Sequence, residues 1–192
     1  MSVTSAADFG FTVEQMTPAQ GWHCSHFFYT FDRDWISRHP DSVSQGLQEL
    51  GQILDPTRDG ATQRIQTGLV SGHKADFSVM IMDHDPLKIE SVHQAIQAST
   101  LGPAIKPSWS YVSLSEISEY VQSIDQYRER LVRSGEQPDS SALATKVSAY
   151  EARLEKMNVQ RLKPVFPDWP VSCFYPMNKW RYPGANWFTL SS

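Results

Sequence analysis

Residues 64–86 read RIQTGLVSGHKADFSVMIMDHDP, and this stretch decides the fold. Arg64 to Val70 and Ala75 to Met82 are two short runs carrying the large apolar residues of strands. Ser71-Gly72 between them is turn chemistry, so the two runs form a hairpin. Asp85-Pro86 then supplies an N-cap and a first-turn proline for a helix whose apolar line is Ile89, Val92 and Ile96. A hairpin that feeds directly into a helix is the middle of a split β-α-β unit.

The flanking sequence completes that unit. Upstream, Val43, Leu47, Leu50 and Leu54 recur at three and four residues, and Asp55-Pro56 ends the helix they define. Before it, Trp22 to Phe31 alternates Phe27, Tyr29 and Phe31 on one face with Trp22, Cys24, His26 and Phe28 on the other. Bulk on both faces predicts a strand covered on both sides. Downstream, Gly102-Pro103 breaks the second helix, and Trp109 and Tyr111 open a fourth strand. The order β-α-β-β-α-β predicts an α+β fold: a ferredoxin-like antiparallel sheet with its helices on one face, over residues 21–120. Residues 1–20 form an N-terminal arm. A helical insert follows over 121–165, with a loop from Leu131 to Asp139 and a helix from Ser140 to Arg161. Over 166–192, prolines at 167, 170, 176 and 183, after Pro164, exclude long regular structure and leave an aromatic loop.

Composition bounds the function. With 192 residues, 40% hydrophobic and 20% charged, the chain is an ordinary globular domain. Its 17 basic and 21 acidic residues leave a net charge of −4, which gives no reason to expect nucleic acid as partner. No apolar run approaches the roughly 18 residues of a membrane helix, and the N-terminus lacks the pattern of a signal peptide. Two cysteines, Cys24 and Cys173, form no disulfide framework and fit a reducing cytoplasm.

Chemistry concentrates in the closing loop. Phe174, Tyr175, Trp180, Tyr182 and Trp187 fall within fourteen residues, and between Arg161 and Arg181 four basic residues face one acidic, Asp168. A cationic, proline-pinned aromatic loop suits a planar anionic ligand, and a tyrosine near a lysine is a proton donor or redox-active phenol. The bland alternative is a loop that packs its aromatics on the sheet. In Trp22-His23-Cys24-Ser25-His26, Cys24 and His26 share a strand face while His23 points away. Zinc wants three or four ligands, and no second Cys-His pair lies elsewhere, so packing explains this run and no metal ligand is assigned. Asp83-His84-Asp85 reads as the polar turn that opens a helix. His93 reads as a satisfied, partly buried histidine, and Asp76 as a strand cap or a member of a polar network.

Several stretches together resemble the chlorite dismutase-like heme proteins, and among them the branch of coproheme decarboxylases, the peroxide-dependent heme synthases. They are Gly21-Trp22 with Asp34-Trp35, Gly72-x-x-Ala75-Asp76-Phe77, and Ser110-Tyr111-Val112-Ser113 with Glu116 and Tyr120. Arg161-Leu162-x-Pro164, Cys173-Phe174-Tyr175-Pro176-Met177-x-Lys179 and Asn186-Trp187-Phe188 follow. The match runs over about residues 20 to 190, and Tyr-Pro-Met-x-Lys is its specific part. The resemblance implies iron coproporphyrin III as substrate and redox centre, hydrogen peroxide as oxidant and protoheme as product. Tyr175 would form the radical that takes hydrogen from a propionate β-carbon, so that carbon dioxide leaves and a vinyl group remains. Lys179 and Arg161 would hold propionates, with Lys179 also managing protons, and Tyr111 would add a further propionate contact. The resemblance also implies a homo-oligomer, commonly a pentamer.

Family chains have two ferredoxin-like halves that form a dimeric α+β barrel, and the axial histidine lies early in the second. This sequence ends at Ser192, before that segment, so no residue here is assigned as iron ligand. A sheet built to face a second half is expected to expose apolar surface and to associate. The alternatives are a porphyrin-binding module without catalysis, an interaction protein whose tail packs in an oligomer interface, and chlorite dismutase-like activity.

Overall fold

A computed structural model describes residues 16–118, 120–166 and 168–175, together with the backbone of 181–182 and 185–186. The elements are β1 (His23–Phe31), α1 (Arg33–Arg38), α2 (Pro40–Ile53), β2 (Arg64–Leu69), β3 (Phe77–Asp83), α3 (Pro86–Ala98) and β4 (Ile105–Leu114). Next come α4 (Ile124–Arg133), α5 (Ser141–Leu162) and two short paired strands, β5 (Arg181–Tyr182) and β6 (Ala185–Asn186). The four long strands form one antiparallel sheet in the order β2-β3-β1-β4, the ferredoxin-like arrangement expected from the sequence.

Local chemistry explains the boundaries. Asp32 caps α1 by accepting from the Trp35 amide at 2.9 Å, and Asp85 caps α3 by accepting from the Leu87 amide at 2.9 Å. Asp83 is fully buried at the end of β3. Its carboxylate accepts from the Gln63 and Asp85 amides, so the Asp83-His84-Asp85 run is a polar corner that ties two strands to a helix start. The fourth strand begins at Ile105, earlier than its aromatics indicated, directly after a single 3-10 turn at Gly102–Ala104.

One face of the sheet is covered by helices. Phe27, Tyr29, Val79 and Ile81 from the strands meet Leu50 of α2, Ile89, Val92 and Ile96 of α3, and Leu101, Ala104 and Ile105. Val79, Ile81 and Ile96 are 0% exposed, and each such side chain contributes about 1.5–3 kcal/mol of transfer free energy. The buried phenol of Tyr29 shares a 2.8 Å hydrogen bond with Nδ1 of the half-buried His93, the satisfied, partly buried histidine that the sequence indicated. Asp76 accepts from the Phe31 amide at 2.7 Å and pairs with Arg33, a polar clasp at the end of β1.

The helical region differs from its sequence reading at one point. Residues 131–133 are helical, the last turn of α4, where a loop was expected from Leu131. A capping box of Ser123 and Gln126 starts this helix, and it packs on α5 through Tyr127 stacked on Tyr150 at 4.0 Å. Leu143 and Val147 of α5 are buried. The C-terminal end of α5 returns to the sheet, where Ser115 Oγ donates to the Leu162 carbonyl at 2.7 Å.

Candidate functional site

The second face of the sheet carries no helix of the core. Strand parity and register put Cys24, His26 and Phe28 of β1 on it, beside Met82, Met80 and Ser78 of β3 and Ser113, Tyr111 and Trp109 of β4. Gly21 sets the entry to this face. Its φ of +73° is open to glycine, and an added Cβ would lie 2.1 Å from the Ser115 carbonyl oxygen. The Trp22 amide donates to Ser115 Oγ at 2.8 Å, which fixes the indole at the start of β1. The Arg64 guanidinium lies 5.4 Å from the Trp22 ring and the Lys163 ammonium 6.0 Å from it. Arg64 Nε also donates to the Pro164 carbonyl at 3.2 Å, so the segment leaving α5 is held against β2. A cavity of about 530 Å³ opens here, lined by Gly21, Trp22, Gln63, His84 and Lys163 among others.

Further on, the tail returns to the sheet through Phe174. Its ring stacks on His26 with centroids 3.9 Å apart and planes 20° apart. Phe28 lies at 6.0 Å, Trp109 at 6.1 Å and Tyr111, edge-on, at 6.1 Å. Phe28–Trp109 and Trp109–Tyr111 contacts close the cluster at 5.2 Å and 6.0 Å. Each such aromatic pair adds about 0.5–1.5 kcal/mol beyond area burial. The stack anchors the tail by one residue, and the next residue, Tyr175, is left 66% exposed.

Tyr111 and the Phe174-Tyr175 dipeptide, far apart in sequence, therefore share one surface. Arg161 lies apart from this cluster on the last turn of α5, exposed, with its Nε donating to the Glu116 carbonyl at 3.4 Å. Lys179 lies outside the described residues, as do Met177, Trp180 and Trp187. The sequence reading named Phe174 in the tail, and packing on the sheet as an alternative for it, but missed its partners His26, Phe28 and Trp109. Their only signal was the alternation of His26 and Phe28 on one strand face, and the tail's target on the sheet had none.

Burial sets the titration behaviour on this face. It holds the His26 imidazole below the usual histidine range, in its neutral form. It pushes the Cys24 thiol up to about 11, against a smaller opposing hydrogen bond from Ser113. On the helix face, burial and then the nearby Glu90 carboxylate raise the Tyr29 phenol. The exposed Tyr175 follows directly on the ring that stacks on this face. The flat, apolar, aromatic character of the cluster suits a macrocycle. A guanidinium and a phenol are groups that can meet carboxylates, and Arg161 and Tyr111 are the described residues of this region that carry them. Among the described residues, no group of three or more His, Cys, Asp or Glu side chains is placed to hold a metal ion, and no helix is long and apolar enough to cross a membrane.

The strand order and the helices on one side of the sheet define an α+β domain of ferredoxin-like topology. A family model described as Chlorite dismutase matches residues 43–192, and the chain belongs to that family. It is 29% identical over 175 residues to the coproheme decarboxylase of Staphylococcus carnosus, covering 89% of this chain and 61% of that protein. It is 26% identical over 183 residues to the coproheme decarboxylase of Oceanobacillus iheyensis, covering 92% of this chain and 64% of that protein. The chain thus spans under two thirds of the length of these relatives. A solved structure of a heme-binding protein from Thermus thermophilus superposes with a TM-score of 0.60 at 23% identity, over 91% of this chain and 63% of that one, a likeness of fold.

Proposed function

We propose that this chain acts in the oxidative decarboxylation of two propionates of iron coproporphyrin III to vinyl groups, with hydrogen peroxide as oxidant and protoheme as product. Each propionate loses a β-hydrogen and carbon dioxide, two electrons pass to peroxide, and two waters form. Bound iron coproporphyrin III is substrate and redox centre together and connects the propionate to peroxide. Tyr175 takes the β-hydrogen. Its phenol gives up a proton as it gives up an electron, and it regains both from the propionate carbon. Lys179, Arg161 and Tyr111 hold propionate carboxylates, and Lys179 also manages the proton. Each charge-assisted hydrogen bond of this kind contributes about 1.5–3 kcal/mol, and near-contact of phenol and β-carbon adds the geometric part. In this reading no residue of the chain is assigned to the iron, and the working unit is a homo-oligomer, a pentamer by resemblance.

The observation that carries the reading is the Phe174 stack on His26, which leaves Tyr175 exposed at the edge of an aromatic sheet face. The names of the relatives and the Tyr-Pro-Met-x-Lys run support it. The test is to titrate the chain with iron coproporphyrin III, add peroxide, and separate the porphyrins by chromatography. Vinyl-bearing products are expected, and Tyr175→Phe is expected to bind porphyrin while forming none. Binding without product, with an imidazole ligand supplied, would leave a porphyrin-binding module instead. No change in the porphyrin absorption band on mixing would overturn both.

A further inference from the structure

Cys24 and His26 emerge from the open face one pleat apart, with Sγ and Nε2 3.5 Å from each other. Two donors on one ion, sulfur at about 2.3 Å and nitrogen at about 2.0–2.1 Å in tetrahedral geometry, lie about 3.6 Å apart. The β1–β3 register places Met82 directly opposite Cys24 and Met80 directly opposite His26. Two adjacent cross-strand pairs thus bring a thiol, an imidazole and two thioethers to one patch of the sheet. Cys24 and Met82 are buried together beside Trp22, and Met80 packs on that cluster. Sequence distance hid this grouping, because the methionines lie more than fifty residues from the Cys-His pair.

We propose that Cys24, His26, Met80 and Met82 form a site for Cu(I). Thioether and thiolate are soft donors that select a soft ion, whereas zinc lacks a third histidine, cysteine or carboxylate here. Charge favours the same ion: one thiolate and one monovalent cation make a neutral pair, which a mostly apolar, buried position tolerates, while a divalent ion leaves a net positive charge. On binding, the Cys24 thiol releases its proton to solvent, the sulfur–copper bond forms, and neither partner changes oxidation state. His26 and Met80 are half-buried, so the ion enters from the open face beside Phe174.

The test is anaerobic competition for Cu(I) between the porphyrin-free chain and a chromophoric chelator such as bicinchoninate. A Cys173→Ser background removes the exposed second thiol. One equivalent of Cu(I) with a near-ultraviolet thiolate-to-copper absorption is expected. Cys24→Ser is expected to weaken binding about a hundredfold. The double variant Met80→Leu/Met82→Leu, which keeps core volume, is expected to weaken it about tenfold while circular dichroism stays that of the parent. No binding by the Cys173→Ser chain, or affinity unchanged in either variant, overturns the site.

Discussion

The two faces of the sheet share four strands and little else. The helix face is packed mainly with branched aliphatic side chains, Val79, Ile81, Ile89, Val92, Ile96 and Ile105, closed to solvent around Phe27 and the Tyr29–His93 pair. The open face carries Cys24, His26, Phe28, Met80, Met82, Trp109 and Tyr111, side chains with polarisable or polar ends. Alternation along a strand lets one backbone serve both purposes. Stability rests on the first face, where removing atoms leaves cavities. The proposed ligand chemistry lies on the second, where, among the described residues, Phe174 of the tail stacks over His26.

That division can be broken or sharpened by mutation. Ile81→Ala, in the middle of the helix face, is expected to cost about 2–5 kcal/mol, measured by urea denaturation. A cost as small as that of a surface change would mean the aliphatic face is not the main source of stability. Gly21→Ala forces a side chain into positive φ and onto the Ser115 carbonyl, so a loss of about 1–3 kcal/mol is expected by the same assay. A neutral result would show that the start of β1 is not clasped to the end of β4. Phe174→Leu removes the aromatic stack but keeps apolar bulk, and about 0.5–1.5 kcal/mol is expected. Its larger consequence is expected in turnover, because Tyr175 loses its mooring; turnover equal to the parent's would detach the anchor from function.

The smallest effect is a pH trend. Burial depresses the folded His26 pKa below the unfolded value of about 6.5. Its contribution is present above that pH and is lost as pH falls through the folded value, because the unfolded chain takes up the proton first. Melting temperature is expected to drop between neutral pH and about pH 5. The drop should be smaller in His26→Asn, and an identical drop in both would remove His26 as a cause.

Where the sequence carried local signals, the fold was legible. Asp85-Pro86, Gly102-Pro103 and the strand alternation place β1, β2, β3, α2, α3 and α5 within a few residues of their observed limits. Short or highly charged elements escaped. Helix α1 spans six residues, and α4 is dominated by charge, with its apolar contact made by Tyr127 on a partner helix. In the site, Tyr175 and Tyr111 stood out through their motifs. Phe174 stood in the same motif, but its partners did not show, because they come from β1 and β4 and are assembled only by the sheet register.

In the proposed reaction the tail is moored at Phe174 so that Tyr175 does the hydrogen-atom chemistry. Rapid-freeze electron paramagnetic resonance tests it directly, on the coproheme-loaded chain mixed with peroxide. A tyrosyl signal is predicted in the parent, weakened in Phe174→Leu and absent in Tyr175→Phe. A signal of full strength in Tyr175→Phe would place the radical on another side chain and contradict the account.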